Sequence, residues 1–446
     1  MVKSHSIHVC RDCGTTSPRW AGRCPGCGEW NTLDQQTVTA RSGASGAPST
    51  VSLRDVSHHG ATVTSTGVGE LDRVLGGGLV AGSTTLLFGE PGVGKSTLAL
   101  MSLRALARRA ESVLLVAVEE SPAQIAQRAR RLGEVPAGLD VAATNSVEGV
   151  EQLVRDRRPT MCVVDSISAM SDDAIGGVAG SVAQVRHAAE RLCAAAKATD
   201  TSLVLVGHVT KDGELAGPRA LEHLVDTVLR IEGDRHGTLR LVRSLKHRFG
   251  PTGEVGLLEM VPEGLREIPD AAVLRTPRLE VPGVVLGVTN DGSRSFLVEI
   301  QALVSSGTGS PRRVAHQVSS QRLALMLAVL EARCDVDTSD IDVFAATAGG
   351  LSANEPGVDV ALALAVASAA RHFAVSGHLA AVGEVGLAGE LRAVSGLDRR
   401  VREAQRLGVT SLIVPAEGGV DDLAGVAIHR CSSLLEAIAV AQPDTK

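Results

Sequence analysis

The sequence predicts an α/β fold built on a mostly parallel sheet, and two observations carry the prediction. Between about residues 56 and 268, short β-branched or Leu-rich runs alternate with helical stretches, the pattern of βαβ units. Within that region Gly89-Glu90-Pro91-Gly92-Val93-Gly94-Lys95-Ser96 follows one such run and opens a helix, which is the context a phosphate-binding loop requires. A second mixed α/β pattern begins at residue 283, after a stretch containing Pro269, Pro277 and Pro282.

The bulk properties agree with this division. A chain of 446 residues has room for two to four domains. Aromatic residues are scarce and Tyr is absent, so the cores must be aliphatic. A net charge of −6 does not exclude a nucleic-acid partner, because binding needs only a local basic patch. The polar N-terminus lacks the apolar segment of a signal peptide, and no apolar run reaches the ~18 residues of a membrane span. A cytoplasmic, reducing location is therefore expected, where clustered cysteines bind metal more often than they form disulfides. The predicted organisation is a Cys-rich head at 1–33, a Gly/Ser/Ala-rich flexible linker at 34–55, a core domain at 56–268, a linker at 269–282 and a second domain at 283–446.

Within the core, strands are predicted at 83–88, 113–118, 161–164, 202–207, 227–231 and 239–245, and helices at 95–109, 122–132, 147–155 and 182–197. The last two strands read as a hairpin that finishes the domain. In the second domain the clearest helices fall near 321–332, 358–371 and 397–407.

The chemistry centres on the phosphate loop, which calls for ATP. Its glycines let backbone N–H groups close around phosphates at a positive helix end. Lys95 is placed to reach the β- and γ-phosphates, Ser96 to ligate Mg²⁺, and Thr97 to continue the motif. A second Mg²⁺ contact is expected from Asp165, which ends the apolar run Met161-Cys162-Val163-Val164. A water-activating carboxylate is expected at the end of the 113–118 run, where ligands gather in open α/β sheets. Glu119 is the first choice and Glu120 its rival, because consecutive residues of a strand point opposite ways. Arg235, Arg240, Arg243, Lys246 and Arg248 form an acid-free basic stretch. They read either as a solvated strand or as cations for a neighbouring subunit's ATP site or nucleic-acid phosphates.

In the head, Cys10-x2-Cys13-x10-Cys24-x2-Cys27 is the spacing of a four-thiolate Zn²⁺ site. So short a segment cannot supply its own core, so the metal would supply folding energy. Trp20 and Trp30, with Arg11, Arg19 and Arg23, suit either packing on the zinc knuckles or stacking on nucleic acid. The remaining cysteines, Cys162, Cys193, Cys334 and Cys431, read as small buried apolar residues.

Taken together, CRDCG…PRWAGRCPGCGEWNT, GEPGVGKST, GHVTKDGELAGPRALEHLVDTVL, KHRFG and GEVGLAGELR resemble the bacterial RadA (Sms) family of DNA-repair proteins over essentially the whole chain. The resemblance implies a RecA-like P-loop ATPase core, preceded by a small zinc ribbon and followed by a Lon-protease-like α/β domain. It implies a homo-hexameric, DNA-dependent motor of recombinational repair that works with RecA on single-stranded and branched DNA and promotes branch migration. Lys246 and Arg248 then belong to a signature Lys-Asn-Arg-Phe-Gly, in which His247 replaces the Asn. His208 falls where related ATPases sense the γ-phosphate, and Lys211 and Arg219 become DNA contacts. In the Lon-like domain Asp359 takes the place of the nucleophilic Ser and Asp398 that of its Lys, so no peptidase activity is expected. That domain would instead assemble subunits and offer Arg312, Arg313, Arg392, Arg399 and Arg400 to the DNA backbone.

Overall fold

The computed structural model describes residues 4–10, 16–26, 28–39, 62–176, 178–208, 221–233, 237–268, 280–306, 310–348 and 351–442. It divides into two compact units, Met1–Pro269 and Asp270–Lys446.

The first unit opens with β1 (Ser4–Cys10), which pairs antiparallel with β2 (Thr16–Ser17) and with the full length of β3 (Leu33–Thr39). This corrects the predicted linker, which was set to begin at residue 34. The segment to Thr39 is a paired strand, because β1 supplies partners for its backbone. A two-stranded ribbon, β4 (Val63–Thr64) with β5 (Leu79–Val80), then flanks helix α1 (Gly69–Val74).

The central sheet holds β6 (Thr84–Gly89), β7 (Val113–Ala117), β8 (Leu139–Ala143), β9 (Met161–Asp165), β10 (Ser202–His208), β11 (Thr227–Gly233), β12 (Leu239–His247), β13 (Val255–Val261) and β14 (Gly264–Glu267). Their spatial order is β14-β13-β12-β11-β6-β10-β9-β7-β8. The six strands from β11 to β8 are parallel, and β12, β13 and β14 extend the sheet as antiparallel strands. The β11–β12 hairpin is therefore present but does not finish the domain. β8 escaped prediction because it is a partly exposed edge strand without a continuous apolar run.

Helices α2 (Lys95–Arg108), α3 (Pro122–Arg131), α4 (Val147–Arg157) and α5 (Val182–Ala198) cover the two faces. The strands alternate as a doubly covered sheet must. Leu87, Leu115, Val163 and Val204 join the α2 and α3 side, while Leu86, Leu114, Val164 and Leu205 join the α4 and α5 side. Serines start three of these helices: Ser121, Ser146 and Ser181 each accept from a backbone N–H of the first turn, satisfying donors the helix itself cannot. As expected, Cys162, Cys193, Cys334 and Cys431 are buried, and burial pushes the Cys162 thiol up to about 12.

The second unit carries β15 (Val284–Asp291), β16 (Arg294–Ser306), β17 (Arg313–His316), β18 (Ile341–Thr347), β19 (Leu379–Ala381), the small pair β20 (Glu384–Val385) and β21 (Leu391–Arg392), then β22 (Ser411–Pro415) and β23 (Ala427–Cys431). Its main sheet has the order β17-β18-β16-β15-β19-β22-β23. Helices α6 (Ser320–Cys334), α7 (Asp359–Arg371), α8 (Leu397–Arg406) and α9 (Leu434–Ala441) complete it. α7 is buried from Asp359 to Ala369, as expected of a helix that is apolar all round. Among the described residues, no helix is long and apolar enough to cross a membrane.

Candidate nucleotide site and its surroundings

The parallel strands bring the predicted chemistry to one edge. In register, Gly89 at the end of β6 lies beside His208 of β10, Val206 beside Asp165 of β9, and Asp165 beside Ala117 of β7. Just past β7, Val118 N donates to Asp165 O at 2.9 Å, so Glu119 follows directly alongside the Asp165 strand end. This is the C-terminal edge, where open α/β sheets bind ligands.

The loop Glu90–Gly94 leaves β6 and turns into α2. A Cβ at Gly89 would collide with the Ile231 carbonyl, and Gly92 and Gly94 have φ of +78° and +112°, values that only glycine adopts without strain. Lys95 is 4% exposed, and its Nζ donates to the Gly89 and Glu90 carbonyls at 2.8 and 2.9 Å. Burial pulls its pKa down, and the Asp165 and Glu119 carboxylates oppose that fall. Both acids therefore act on the same ammonium. Ser96 and Thr97 occupy the half-buried first turn of α2, while Pro91 is exposed. Ser96 and Asp165, a hydroxyl and a carboxylate at this edge, fit a Mg²⁺ ion as its protein ligands.

The two candidate bases separate. Glu119 Oε1 accepts from Ser166 Oγ at 2.6 Å, and Ser166 Oγ meets Ser168 Oγ at 2.7 Å. Glu120 turns to Arg128 of α3 at 2.7 Å. Ser121, next in sequence, closes a reciprocal capping box with Gln124, which fixes where the chain leaves the site. Ser166 is fully buried and is a residue the sequence reading missed, since only its place after Asp165 could have pointed to it.

The basic stretch splits in two. Lys246 Nζ donates to the Glu222 and Val225 carbonyls at 2.6 and 2.8 Å. Arg248 Nη1 binds Asp226 Oδ1 at 2.9 Å, and Asp226 also accepts from Thr84 N and Oγ1, each at 3.0 Å. Desolvation and the neighbouring Arg248 hold the Lys246 pKa below its ordinary value. Thr84 begins β6, whereas the phosphate loop leaves its other end. In register Gly89 pairs with Ile231 and Ile231 with Val242, so Lys246 lies four residues farther along β12, roughly 13 Å at a strand's rise. The pair stands at the edge opposite its own phosphate loop. Arg240 departs from both sequence readings: it is 8% exposed, with Nε donating to the Val93 carbonyl at 3.2 Å. Arg243 pairs with Glu232.

Lys211, Arg219, Arg235, Cys13 and Cys27 lie outside the described residues, and only the backbone of His208 is described. In the head, Cys10 and Cys24 are buried, and Gly26 N donates to Cys24 Sγ at 3.3 Å, a contact suited to a thiolate that holds metal. Trp20 and Trp30 are 59% and 69% exposed, so packing on the knuckles does not cover them.

In the Lon-like unit Asp359 is fully buried and gripped by the Arg322 guanidinium at both carboxylate oxygens. Asp398 is exposed in the first turn of α8. Arg400 is 1% exposed and bonds Glu355 and the Val288 carbonyl, so it is no DNA contact: its charge is spent inside the fold. Arg312 pairs with Asp342, Arg392 with Glu390, and Arg313 and Arg399 donate to backbone carbonyls.

Comparison with known proteins agrees with these three regions. Residues 8–35 match the rubredoxin metal binding domain, 64–136 the KaiC ATPase family and 317–441 the Lon protease (S16) C-terminal proteolytic domain. The chain is 42% identical to the DNA repair protein RadA of Mycolicibacterium smegmatis, with 98% of each chain covered. It is likewise 42% identical to that of Pseudomonas aeruginosa, over 98% of this chain and all of the relative. The Bacillus subtilis protein is 40% identical, with 93% of each covered. With a RecA-like core between a ribbon and a Lon-type unit, and this likeness running end to end, the chain belongs to the RadA family of DNA repair proteins.

Proposed function

We propose that the protein is a DNA-dependent ATPase that drives branch migration in recombinational repair, acting as a homo-hexameric ring. The observation that carries the reading is the split between the two edges of one sheet. The phosphate loop, Asp165 and Glu119 share the C-terminal edge, while Lys246 and Arg248 stand at the other. Cations so placed cannot serve their own nucleotide, and they suit a neighbour's. In this reading the loop amides and Lys95 bind the β- and γ-phosphates, and Glu119, held by Ser166, takes the proton of the attacking water. Ser96 and Asp165 hold Mg²⁺, which when bound neutralises phosphate charge. Lys246 and Arg248 exchange their in-chain partners for the adjacent subunit's γ-phosphate or for DNA phosphates. Lys211 and Arg219 are assigned to DNA, and Cys10, Cys13, Cys24 and Cys27 to Zn²⁺. Single-stranded and branched DNA and RecA are the partners, in the cytoplasm at the nucleoid. The Lon-like unit is assigned to assembly and not to proteolysis, because a buried, salt-bridged Asp359 offers no nucleophile.

The test is branch migration on RecA-made joint molecules. Wild type should extend branches with ATP, Lys95→Ala should neither hydrolyse nor extend, and Lys246→Ala should fold and bind ATP but lose the coupled activity. Extension undiminished by Lys95→Ala refutes the motor.

A further inference from the structure

Among the described members of the basic stretch, Arg240 is the one that bonds the phosphate loop. It starts from β12, crosses the end of β11 and places Nε 3.2 Å from the Val93 carbonyl, while Nη1 donates to the Gly237 and Leu239 carbonyls at 2.7 and 2.8 Å. The passage exists because residue 233 is glycine. A Cβ there would collide with Arg240 Cδ and stand 2.9 Å from Nε and Nη1. Two residues from separate strands thus fit one another beneath the loop.

The consequence follows from peptide geometry. The Val93 carbonyl and the Gly94 N–H belong to one planar trans unit and point in opposite directions. Whatever holds that carbonyl away from the loop's centre aims the N–H into it. Val93 N meanwhile donates to the Glu90 carbonyl at 3.3 Å, so the two sides of Val93 are tied to different partners. A charge-assisted bond is stronger and more directional than a neutral one, and it brings a fixed positive charge beneath a site built for polyphosphate.

We propose that Arg240, seated in the gap left by Gly233, is a positioning residue for nucleotide phosphates that holds the Val93 carbonyl outward and presents the Gly94 N–H to the ligand. This rests on the ATP reading of the loop and adds to it a contribution from the antiparallel extension of the sheet. The contact is equally useful to bound substrate and to transition state, so its loss should raise KM and leave kcat little changed.

The experiment measures MgATP and MgADP dissociation constants and steady-state ATP hydrolysis for wild type, Arg240→Met, Arg240→Lys and Gly233→Ala, with circular dichroism melts as a folding control. Arg240→Met should weaken both nucleotides about tenfold, equivalent to about 1.4 kcal/mol, and raise KM in parallel with kcat within about twofold. Arg240→Lys should recover part of the loss. Gly233→Ala, whose backbone φ is not left-handed, keeps the guanidinium but displaces it, and should reproduce the Arg240→Met defect. It decides the matter even if Arg240→Met does not fold. Wild-type affinity in both Arg240→Met and Gly233→Ala overturns the proposal, as does a fall in kcat and melting temperature at unchanged KM. Failure of the ATP reading is recognised separately: wild type would then bind no nucleotide, or bind it equally well as Lys95→Ala.

Discussion

Exchanging Glu119 and Glu120 one at a time for Gln tests the core of the mechanism, because the two residues are adjacent in sequence and differ only in what holds them. Glu119→Gln is isosteric and keeps an oxygen to accept from Ser166, now at 2.6 Å, so the site should stay assembled. What it removes is the ability to take a proton. General-base catalysis contributes about 10²–10⁴ in rate, or about 3–5 kcal/mol of barrier, and kcat should fall by that factor. ATP affinity should be no weaker, since a carboxylate facing triphosphate is lost. Glu120→Gln breaks only the Arg128 pair, whose Glu120 side is 41% exposed. Such pairs are worth about 0–1 kcal/mol of stability, and kcat should stay within about twofold. The assay is steady-state phosphate release with saturating single-stranded DNA, beside nucleotide titration. Glu119→Gln with more than about a third of wild-type kcat, or an equal loss in Glu120→Gln, refutes the assignment.

Three further outcomes are expected. Ser166→Ala frees the Glu119 carboxylate from its only described side-chain donor and should lower kcat by about tenfold, about 1.4 kcal/mol, with the nucleotide dissociation constant unchanged; equal losses in both would place Ser166 in binding instead. Asp359→Ala leaves Arg322 without its buried partner and should destabilise the second unit by about 3–5 kcal/mol in urea unfolding, whereas the paired change Arg322→Met with Asp359→Leu should recover most of it; casein should remain intact throughout, and degradation abolished by Asp359→Ala would reinstate a peptidase. Asp172 is buried, which alone would push its pKa up, but the Ala174 N–H, Arg191 and His187 hold it below the ordinary carboxylate value. Its stabilisation is therefore fully present above the unfolded value of about 3.9 and lost as pH falls below it. Asp172→Asn should lower stability at pH 7 and flatten the acid limb of the stability profile below about pH 4, and an unchanged limb would show that other carboxylates set it.

The legible parts of the molecule were those where one local pattern carries the information. A strand, a glycine-rich turn and a helix adjoin in sequence between Thr84 and Arg108, so that element and its glycines could be read directly. Asp165 was legible because an apolar run must end somewhere, and there it ends in a carboxylate. The unread parts depend on register between distant strands. Arg240 and Arg243, three residues apart, face opposite sides of one strand, but nothing local says which side meets the loop; only the pairing of β11 with β6 and β12 carries the first beneath Val93 and leaves the second on Glu232. Likewise, Glu119 was preferred to Glu120 from its place alone, and the Ser166 hydroxyl that holds it lies 47 positions away, out of reach of any local pattern. The linker at 34–55 was misread at its start because polarity describes a side chain's solvent, whereas β3 is held by backbone bonds to β1.

The same register argument bears on what the KHRFG segment does. Its cations are not idle: Lys246 satisfies two carbonyls and Arg248 shares Asp226 with Thr84. Those bonds place two cations near Asp226, Arg248 in direct contact and Lys246 close enough to feel its charge. Lys246 is held below its ordinary pKa by burial and by Arg248, and Arg248 remains 52% exposed. An anion brought to this edge relieves that repulsion and meets an arginine already at the surface. In the proposed ring, the next subunit's triphosphate would be such an anion. Strand β12 of that ring would join the two functions: Arg240 on the chain's own phosphate loop and, six residues on, Lys246 at the opposite edge. Nucleotide state at one site and subunit contact at the next would share a single strand, which is the connection a ring motor needs to fire its sites in sequence.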